Sequence, residues 1–194
     1  MVLYSSPNIG PKAVPGTYKV ALSYNGQVQE EEFQIVQDPR QSNTLQDYRE
    51  QFDFLIEVRN EVSRANEAIV SIRRVKKDLD YLKGKADGKP DLMELVTSFE
   101  SELSQVENNI HMTKNQSRQD PLNYGIRINN RLAFLLADSQ RGDYPPTDQA
   151  TQFFVELKKE LNTEIQALDQ LMETYVNQIN NLVTDSQIKM ISTN

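Results

Sequence analysis

Residues 90–113 read PDLMELVTSFESELSQVENNIHMT. Seam residues recur along this stretch at alternating intervals of four and three: Leu92, Val96, Phe99, Leu103, Val106, Ile110 and Thr113. This spacing places them on one face of an α-helix, in the pattern by which helices pack in a bundle. The stretch therefore predicts a mainly helical fold. Its helix begins either with Asp91 and Glu94 as a capping box or with Pro90 at the first helical position.

Two longer helices are predicted on either side. The first begins at Thr44, a good N-cap with Asp47 and Glu50 in the first turns, and runs to about Leu82, a length of roughly 57 Å. Its apolar stripe comprises Tyr48, Phe52, Leu55, Val58, Val62, Ala65, Ile69, Ile72, Leu79 and Leu82. The last helix begins near Thr147 and is about 55 Å long. Its stripe comprises Phe154, Leu157, Leu161, Ile165, Leu168, Met172, Tyr175, Ile179 and Leu182.

A shorter helix is predicted from about Asn123 to Gln140, carrying Ile128, Leu132, Leu135 and Leu136. Four helices with short connections favour antiparallel neighbours. We therefore expect an antiparallel up-down-up-down four-helix bundle with two long and two shorter helices. The long pair would extend beyond the cover of the other two, so that one end approaches a two- or three-helix coiled coil.

A β-hairpin is predicted ahead of the helices. From Thr17 apolar and polar residues alternate, and Asn25-Gly26 suits a two-residue type I′ turn. Counting outward from the turn pairs Tyr18 with Phe33 and Lys19 with Glu32. The same count places Val20 opposite Glu31 and Leu22 opposite Gln29. The buried face of the second strand is therefore not cleanly apolar, and a bulge or a longer loop is an open alternative.

The junction at Asp38-Pro39 divides the chain into a hairpin, residues 1–39, and a helical bundle, residues 40–194. An isolated hairpin is only marginally stable, so this one must dock on the helices or belong to a larger sheet. Residues 1–15 carry three prolines and a glycine and have the composition of a loop that ends another strand. We interpret the hairpin as the remnant of a truncated β-module.

Composition excludes several classes of function. The net charge of −7 disfavours nucleic-acid binding, and the absence of cysteine rules out disulfides and thiolate chemistry. The sequence contains no run of eighteen apolar residues, so no membrane-spanning helix is predicted. Residues 1–7 lack the features of a signal peptide, but in an excised fragment such a signal would lie upstream.

Several polar residues in the predicted helices are candidate site residues. His111, the only histidine, follows Glu107 by one turn, and we expect it at the surface or at a boundary rather than in a base or metal role. The basic cluster Arg73, Arg74, Lys76 and Lys77 could bind an anionic partner, but cations near the C-terminal half of a helix are the simpler interpretation.

Residues 120–131 are denser in polar and turn-forming residues than a connector needs, which makes this segment the best candidate for a further role. Within it, we expect Arg127 and Arg131 to pair with carboxylates across the bundle. Glu30-Glu31-Glu32 is best explained as a solvated strand edge rather than a metal site. The sequence predicts no catalytic, cofactor-binding or metal-binding residue and no cofactor.

The segments also resemble a known family. Residues 15–26, PGTYKVALSYNG, followed by Phe33-Gln34-Ile35 and Asp38-Pro39-Arg40, are similar to the last hairpin of an immunoglobulin-like module. That module lies near the C-terminus of large bacterial sortilin-like, BNR-repeat propeller proteins, which are often labelled glycosyl hydrolases. Their helical tail resembles the present chain at a further set of positions: Asp120 through Asn129, Arg131, Leu132, Ala133, Gly142-Asp143 and Pro146-Thr147.

The resemblance implies a secreted, periplasmic or cell-surface parent in which propeller repeats precede the β-module and the helical tail. Any sugar-cleaving chemistry would then belong to the propeller, because no catalytic residue carries over to a position here. We expect a non-catalytic C-terminal accessory region whose partners are the propeller and β-module of the parent chain. The alternatives are a tail that supports a hydrolase cleft formed elsewhere and a self-assembling coiled-coil module that forms a homo-oligomer.

Overall fold

A computed structural model describes residues 10–188. Two strands come first, β1 (Gly16–Tyr24) and β2 (Gln27–Ile35). Five helices follow: α1 (Leu45–Lys83), α2 (Pro90–Ile110), the single turn α3 (Pro121–Tyr124), α4 (Ile128–Ser139) and α5 (Asp148–Asp185). The expected fold class is confirmed, since the chain is a mainly helical bundle of two long and two shorter helices behind a β-hairpin.

The two shorter helices follow one another along α1. Lys83, the last residue of α1, pairs with Glu100 of α2. Seven residues earlier in α1, Lys76 pairs with Glu107, seven residues later in α2, at 3.1 Å. Gln51 near the start of α1 donates a hydrogen bond from Nε2 to the carbonyl oxygen of Ser139, at the end of α4, at 3.0 Å. Both short helices are therefore antiparallel to α1. The order of helix directions therefore differs from the predicted up-down-up-down order, because α4 runs in the same direction as α2.

The last helix completes a three-helix cross-section. Phe54 of α1 and Phe154 of α5 meet edge to face with ring centroids 5.6 Å apart, close to the start of both helices. Further along, Phe99 of α2 stacks on Tyr175 of α5 at 4.8 Å. Thus α1 and α5 run parallel, and either α2 or α4 covers them at each level. We expected α1 and α5 to extend beyond the other helices at one end. Instead, a third helix packs on them there, so that this end is a three-helix arrangement.

A continuous apolar core runs along this rod, and the seam of α2 lies within it as predicted. Its largest apolar side chains below 2 % exposure come from all four main helices: Phe99, Ile69, Ile72, Leu92, Leu103, Ile110, Leu132, Leu136, Leu157 and Leu161. Burial of such side chains is the main stabilising term for the fold. No helix in the described part of the chain is both long and apolar enough to cross a membrane.

Helix ends match the sequence in part. Thr44 and Asp47 form a reciprocal capping box, and Thr147 caps α5 through the backbone N–H of Ala150. Pro90 occupies the first position of α2, so the alternative capping box at Asp91 and Glu94 is not used. That helix ends at Ile110, three residues before the end of the apolar seam.

The connection after α2 is longer than expected. His111 takes an extended conformation (φ −137°, ψ 132°), which ends the helix. The helix predicted from Asn123 is instead the single turn α3, which stops at Gly125, and a separate helix that starts at Ile128. Gly125 has φ +76°, a conformation that L side chains rarely adopt. We call residues 111–127 the helix break.

The hairpin register is confirmed. Tyr18 lies opposite Phe33 with ring centroids 6.0 Å apart, and the ladder runs without a bulge to Tyr24 opposite Gln27. The two-residue loop has positive φ angles at Asn25 (48°) and Gly26 (77°), as a type I′ turn requires.

Of the two alternatives for the hairpin, docking on the helices is not what the structure shows, because in the described chain neither strand packs against a helix. On its apolar face Leu22 is 68 % and Tyr24 73 % exposed. Among residues 10–188, the hairpin is fixed to the bundle at its root alone. There Lys12 pairs with Asp143 at 2.9 Å, and Gln37 donates a side-chain hydrogen bond to the carbonyl oxygen of Asn43 at 2.7 Å.

Candidate functional site

The helix break lies about halfway along the rod. It separates α2 from α4, the two shorter helices that follow one another along α1. Asp120 organises its loop. Its carboxylate accepts hydrogen bonds from the backbone N–H groups of Ser117 and Gln116, at 2.7 and 2.6 Å, and from the Ser117 hydroxyl at 2.8 Å. These hydrogen bonds hold the pKa of Asp120 below its usual value. The segment that the sequence singled out is thus an ordered loop whose turn is held locally.

A buried polar cluster lies under the break. His111 is 2 % and Asn129 0 % exposed, and His111 Nδ1 lies 3.4 Å from Asn129 Nδ2. The prediction that His111 lies at the surface or at a boundary is wrong. The chain leaves the helix at His111, and the first turn of α4 packs over the imidazole, which the spacing along α2 alone does not indicate.

The charges in this cluster connect α1 to α2. Glu107 is 4 % exposed and accepts hydrogen bonds from Arg73 at 2.7 Å and Lys76 at 3.1 Å. Burial by itself would raise the pKa of Glu107, but the hydrogen bonds from these two cations outweigh it, and the pKa lies below its usual value. The other two members of the basic cluster, Arg74 and Lys77, remain exposed.

The chemistry open to His111 is limited by its surroundings. Burial, and after it the neighbouring Arg73, lower the pKa of His111, so that the imidazole is neutral at pH 7. A general base must reach a proton on a substrate, and a side chain that is 2 % exposed has no such access. The cluster therefore acts as a structural joint between α1, α2 and α4.

Two arginines of α4 and its N-terminus were expected to pair across the bundle. Arg131 does so, since its Nη1 lies 2.6 Å from Glu160 Oε2, and its guanidinium also lies 5.2 Å from the centroid of the Phe153 ring. Arg127 pairs with no carboxylate of the described chain, and its Nε is buried without a hydrogen-bond partner there. The expectation is thus confirmed for one of the two.

Two adjoining depressions open on the surface of the break. An apolar cleft of about 330 Å³ is lined by Pro121, Leu122, Gly125, Ile126 and Phe134. A polar groove of about 440 Å³ is lined by Asn109, Ile126, Arg127, Ile128, Arg131, Glu160, Thr163 and Glu164. Ile126 lines both. The helical spacing does not predict this cleft, although Leu122, Ile126 and Phe134 are apolar residues that fit no helical stripe.

The remaining candidates behave as solvated surface. Lys19 lies 3.7 Å from Glu30 and 3.8 Å from Glu32 on one face of the hairpin. Across residues 10–188 no group of three or more His, Asp or Glu side chains could hold a metal ion.

Comparison with protein-family models, with curated proteins and with solved structures found no match to this chain.

Proposed function

We propose that this chain is a non-catalytic C-terminal accessory and interaction region of a larger secreted propeller protein. Its hairpin joins a β-module of that parent, and its bundle acts as a rigid spacer or interaction element. The observation that carries the proposal is the exposed apolar face of the hairpin. Val20, Leu22 and Tyr24 lie on one face of β1 at 55 %, 68 % and 73 % exposure.

The energetics of the hairpin favour a covered state. A two-stranded hairpin is at best marginally stable in water, and it needs a third strand or a helix on its apolar face. Burying one side chain of the size of Leu22 stabilises by about 1.5–3 kcal/mol. Several such side chains on one face supply enough free energy to dock the hairpin on neighbouring strands. The fixed register and type I′ turn mean that this face is already organised for the contact.

The bundle suits the role of a spacer. With 39 residues, α1 is about 58 Å long, and a continuous three-helix core stiffens it. The hairpin root is held at the start of this rod by the ion pair between Lys12 and Asp143. Since α1 and α5 both begin at that end, the rest of the bundle projects away from the β-module.

Surface substitutions in the parent chain test the docked hairpin. Leu22→Arg places a charge on the apolar face, whereas Ser23→Arg places the same charge on the opposite face of the same strand. We expect Leu22→Arg to lower the melting temperature of the β-module in the parent and to leave the bundle transition of the 194-residue chain unchanged. Equal effects of the two substitutions in the parent would count against the proposal.

Deleting residues 40–194 from the parent tests the non-catalytic role. Unchanged turnover is the expected result. A loss of turnover with retained folding of the propeller would instead favour a tail that supports a hydrolase cleft.

A second candidate, self-association of this region, rests on the same exposed face, since two copies could cover each other. Light scattering over a range of concentrations separates the two. A strict monomer removes self-association, and a concentration-dependent increase in mass that Leu22→Arg abolishes supports it.

A further inference from the structure

A second apolar surface lies on the helix break, away from the hairpin. Four large apolar side chains are exposed there: Leu122 by 71 %, Tyr124 by 47 %, Ile126 by 44 % and Phe134 by 47 %. Three of them line the cleft of about 330 Å³ together with Pro121 and Gly125. Clustered exposed apolar residues mark interaction sites more often than scattered ones do.

The size of the cleft restricts its occupant. At about 330 Å³ the cleft lies at the lower end of the range for small-ligand pockets, which is room enough for a large apolar side chain. Its backbone wall is fixed, because α3 ends at Gly125 with the Gly125 N–H donating to the carbonyl oxygen of Pro121 at 3.0 Å. Phe134, on the regular helix α4, forms the other wall. The surface is therefore formed by ordered elements and is not a loop tip.

The charges around the cleft favour an acidic partner. Lys114 lies 5.9 Å from the centroid of the Tyr124 ring, and Arg127 follows Ile126 directly. Neither cation pairs with a carboxylate among residues 10–188.

The two carboxylates of the adjoining groove are already engaged. Glu160 pairs with Arg131, and Glu164 accepts hydrogen bonds from the Asn109 side chain at 3.1 and 3.2 Å. Lys114, Arg127 and Arg131 therefore outnumber these two carboxylates by one charge, which makes this set of residues net positive on a chain whose net charge is −7.

We propose that the helix break is a docking site for an extended, acidic peptide segment of a partner protein. A large aliphatic or aromatic side chain of that segment fills the cleft between Ile126 and Phe134. A carboxylate within a few residues of it pairs with Arg127, and Lys114 adds a second favourable charge. Since an extended chain advances about 3.3–3.6 Å per residue and Ile126 lines both depressions, such a segment spans them without strain. This site does not depend on the hairpin or on the parent propeller.

Panning a random heptapeptide library displayed on phage against the immobilised 194-residue chain tests the proposal. We expect enrichment of sequences that combine Phe, Tyr or Leu with a nearby Asp or Glu. A synthetic peptide of the enriched sequence is then titrated against four variants by fluorescence anisotropy. Arg127→Glu and Phe134→Ala alter the site, and Arg74→Glu and Val155→Ala make matched changes at an exposed cation and an exposed apolar residue elsewhere. Thermal melts of all four variants confirm that each is folded.

We expect the affinity for the peptide to fall by about tenfold or more in both site variants and to stay unchanged in the two controls. Affinity should also fall as salt rises, because Lys114 is exposed and Arg127 is only partly buried, so that mobile ions screen their charges. No enrichment above an uncoated surface would overturn the proposal, as would enriched peptides that bind Arg127→Glu and Phe134→Ala as well as the unaltered chain. Loss in only one site variant would contradict a site with both an apolar and a cationic part.

Discussion

Glu107 of α2 accepts a hydrogen bond from Nε of Arg73 of α1 at 2.7 Å, with only 5 % of its side chain exposed. Arg73 itself is 44 % exposed, so that one partner of the pair remains accessible to water. Lys76 contacts the second carboxylate oxygen at 3.1 Å. This arrangement joins α1 to the last turn of α2, directly above the helix break, and it sets the charge environment of His111.

Replacing Glu107 tests how much this joint stabilises. Glu107→Gln keeps the shape of the side chain but leaves Arg73 and Lys76 without their counterion. We expect a loss of about 1.5–3 kcal/mol, the range for hydrogen bonds that involve charged groups. The matched control is Glu160→Gln, whose carboxylate is 43 % exposed and should contribute less than about 1 kcal/mol. Urea denaturation measures the free energy of unfolding of both variants. Equal losses would show that the buried ion pair stabilises the fold no more than the exposed one.

The stability of the fold should depend on pH through His111. Burial and Arg73 lower the pKa of His111 in the folded state. The unfolded chain, with an ordinary histidine pKa of about 6.5, therefore takes up the proton first, and stability falls as pH drops below that value. Protonation of the folded state at lower pH ends this loss. The pKa of Glu107 is also lowered, but its contribution is lost only below about pH 4.3, the usual glutamate value.

The single histidine makes this dependence simple to assign. Urea midpoints at a series of pH values between 7.5 and 5.5 should decline for the unaltered chain and stay level for His111→Gln. A flat profile for the unaltered chain, or a decline that persists in the variant, would contradict the assignment.

A pair of substitutions on α5 tests the core. Leu157 is 0 % exposed, whereas Val155, two residues earlier, is 61 % exposed. Leu157→Ala should cost about 2–5 kcal/mol because it leaves a cavity among all three helices. Val155→Ala should change stability by less than about 0.5 kcal/mol, as is usual for surface positions. Thermal and urea unfolding of the two variants give the comparison, and similar costs would show that α5 is not seated as described.

The hairpin turn should be separable from the bundle. Gly26 has φ +77°, so Gly26→Val strains the turn and opens the hairpin, whereas Gly10→Ala meets no atom within 4 Å. We expect Gly26→Val to abolish the cross-strand NOE between Tyr18 and Phe33 without changing the melting temperature of the helices. A drop in that melting temperature would mean that the hairpin supports the bundle.

Much of this fold follows from local rules in the sequence. The spacing of Leu92 through Ile110 predicts a buried helix face, and Thr44 predicts a cap, because both depend on residues within a few positions of each other. The hairpin register likewise follows from the two residues Asn25 and Gly26. The direction of α4 does not follow, because it depends on how the chain crosses the helix break.

The site was harder to predict for the same reason. His111 directly follows the last residue of α2 but has an extended backbone rather than a helical one. Its burial results from contact with the first turn of α4 at Asn129, eighteen residues further along the chain. The exposed cleft has the opposite origin. Leu122 on α3 and Phe134 on α4 are apolar residues outside the predicted helical stripes, and both lie exposed at the surface of the break.

Hydrogen–deuterium exchange of the hairpin tests the central proposal most directly. The amides of residues 16–35 are compared in the 194-residue chain and in the parent protein, with the helical amides of residues 96–106 of α2 as a reference. We expect fast exchange of the hairpin in the isolated chain and protection at least about a hundredfold greater in the parent, because neighbouring strands then cover it. Slow exchange in the isolated chain, or equally fast exchange in the parent, would contradict it.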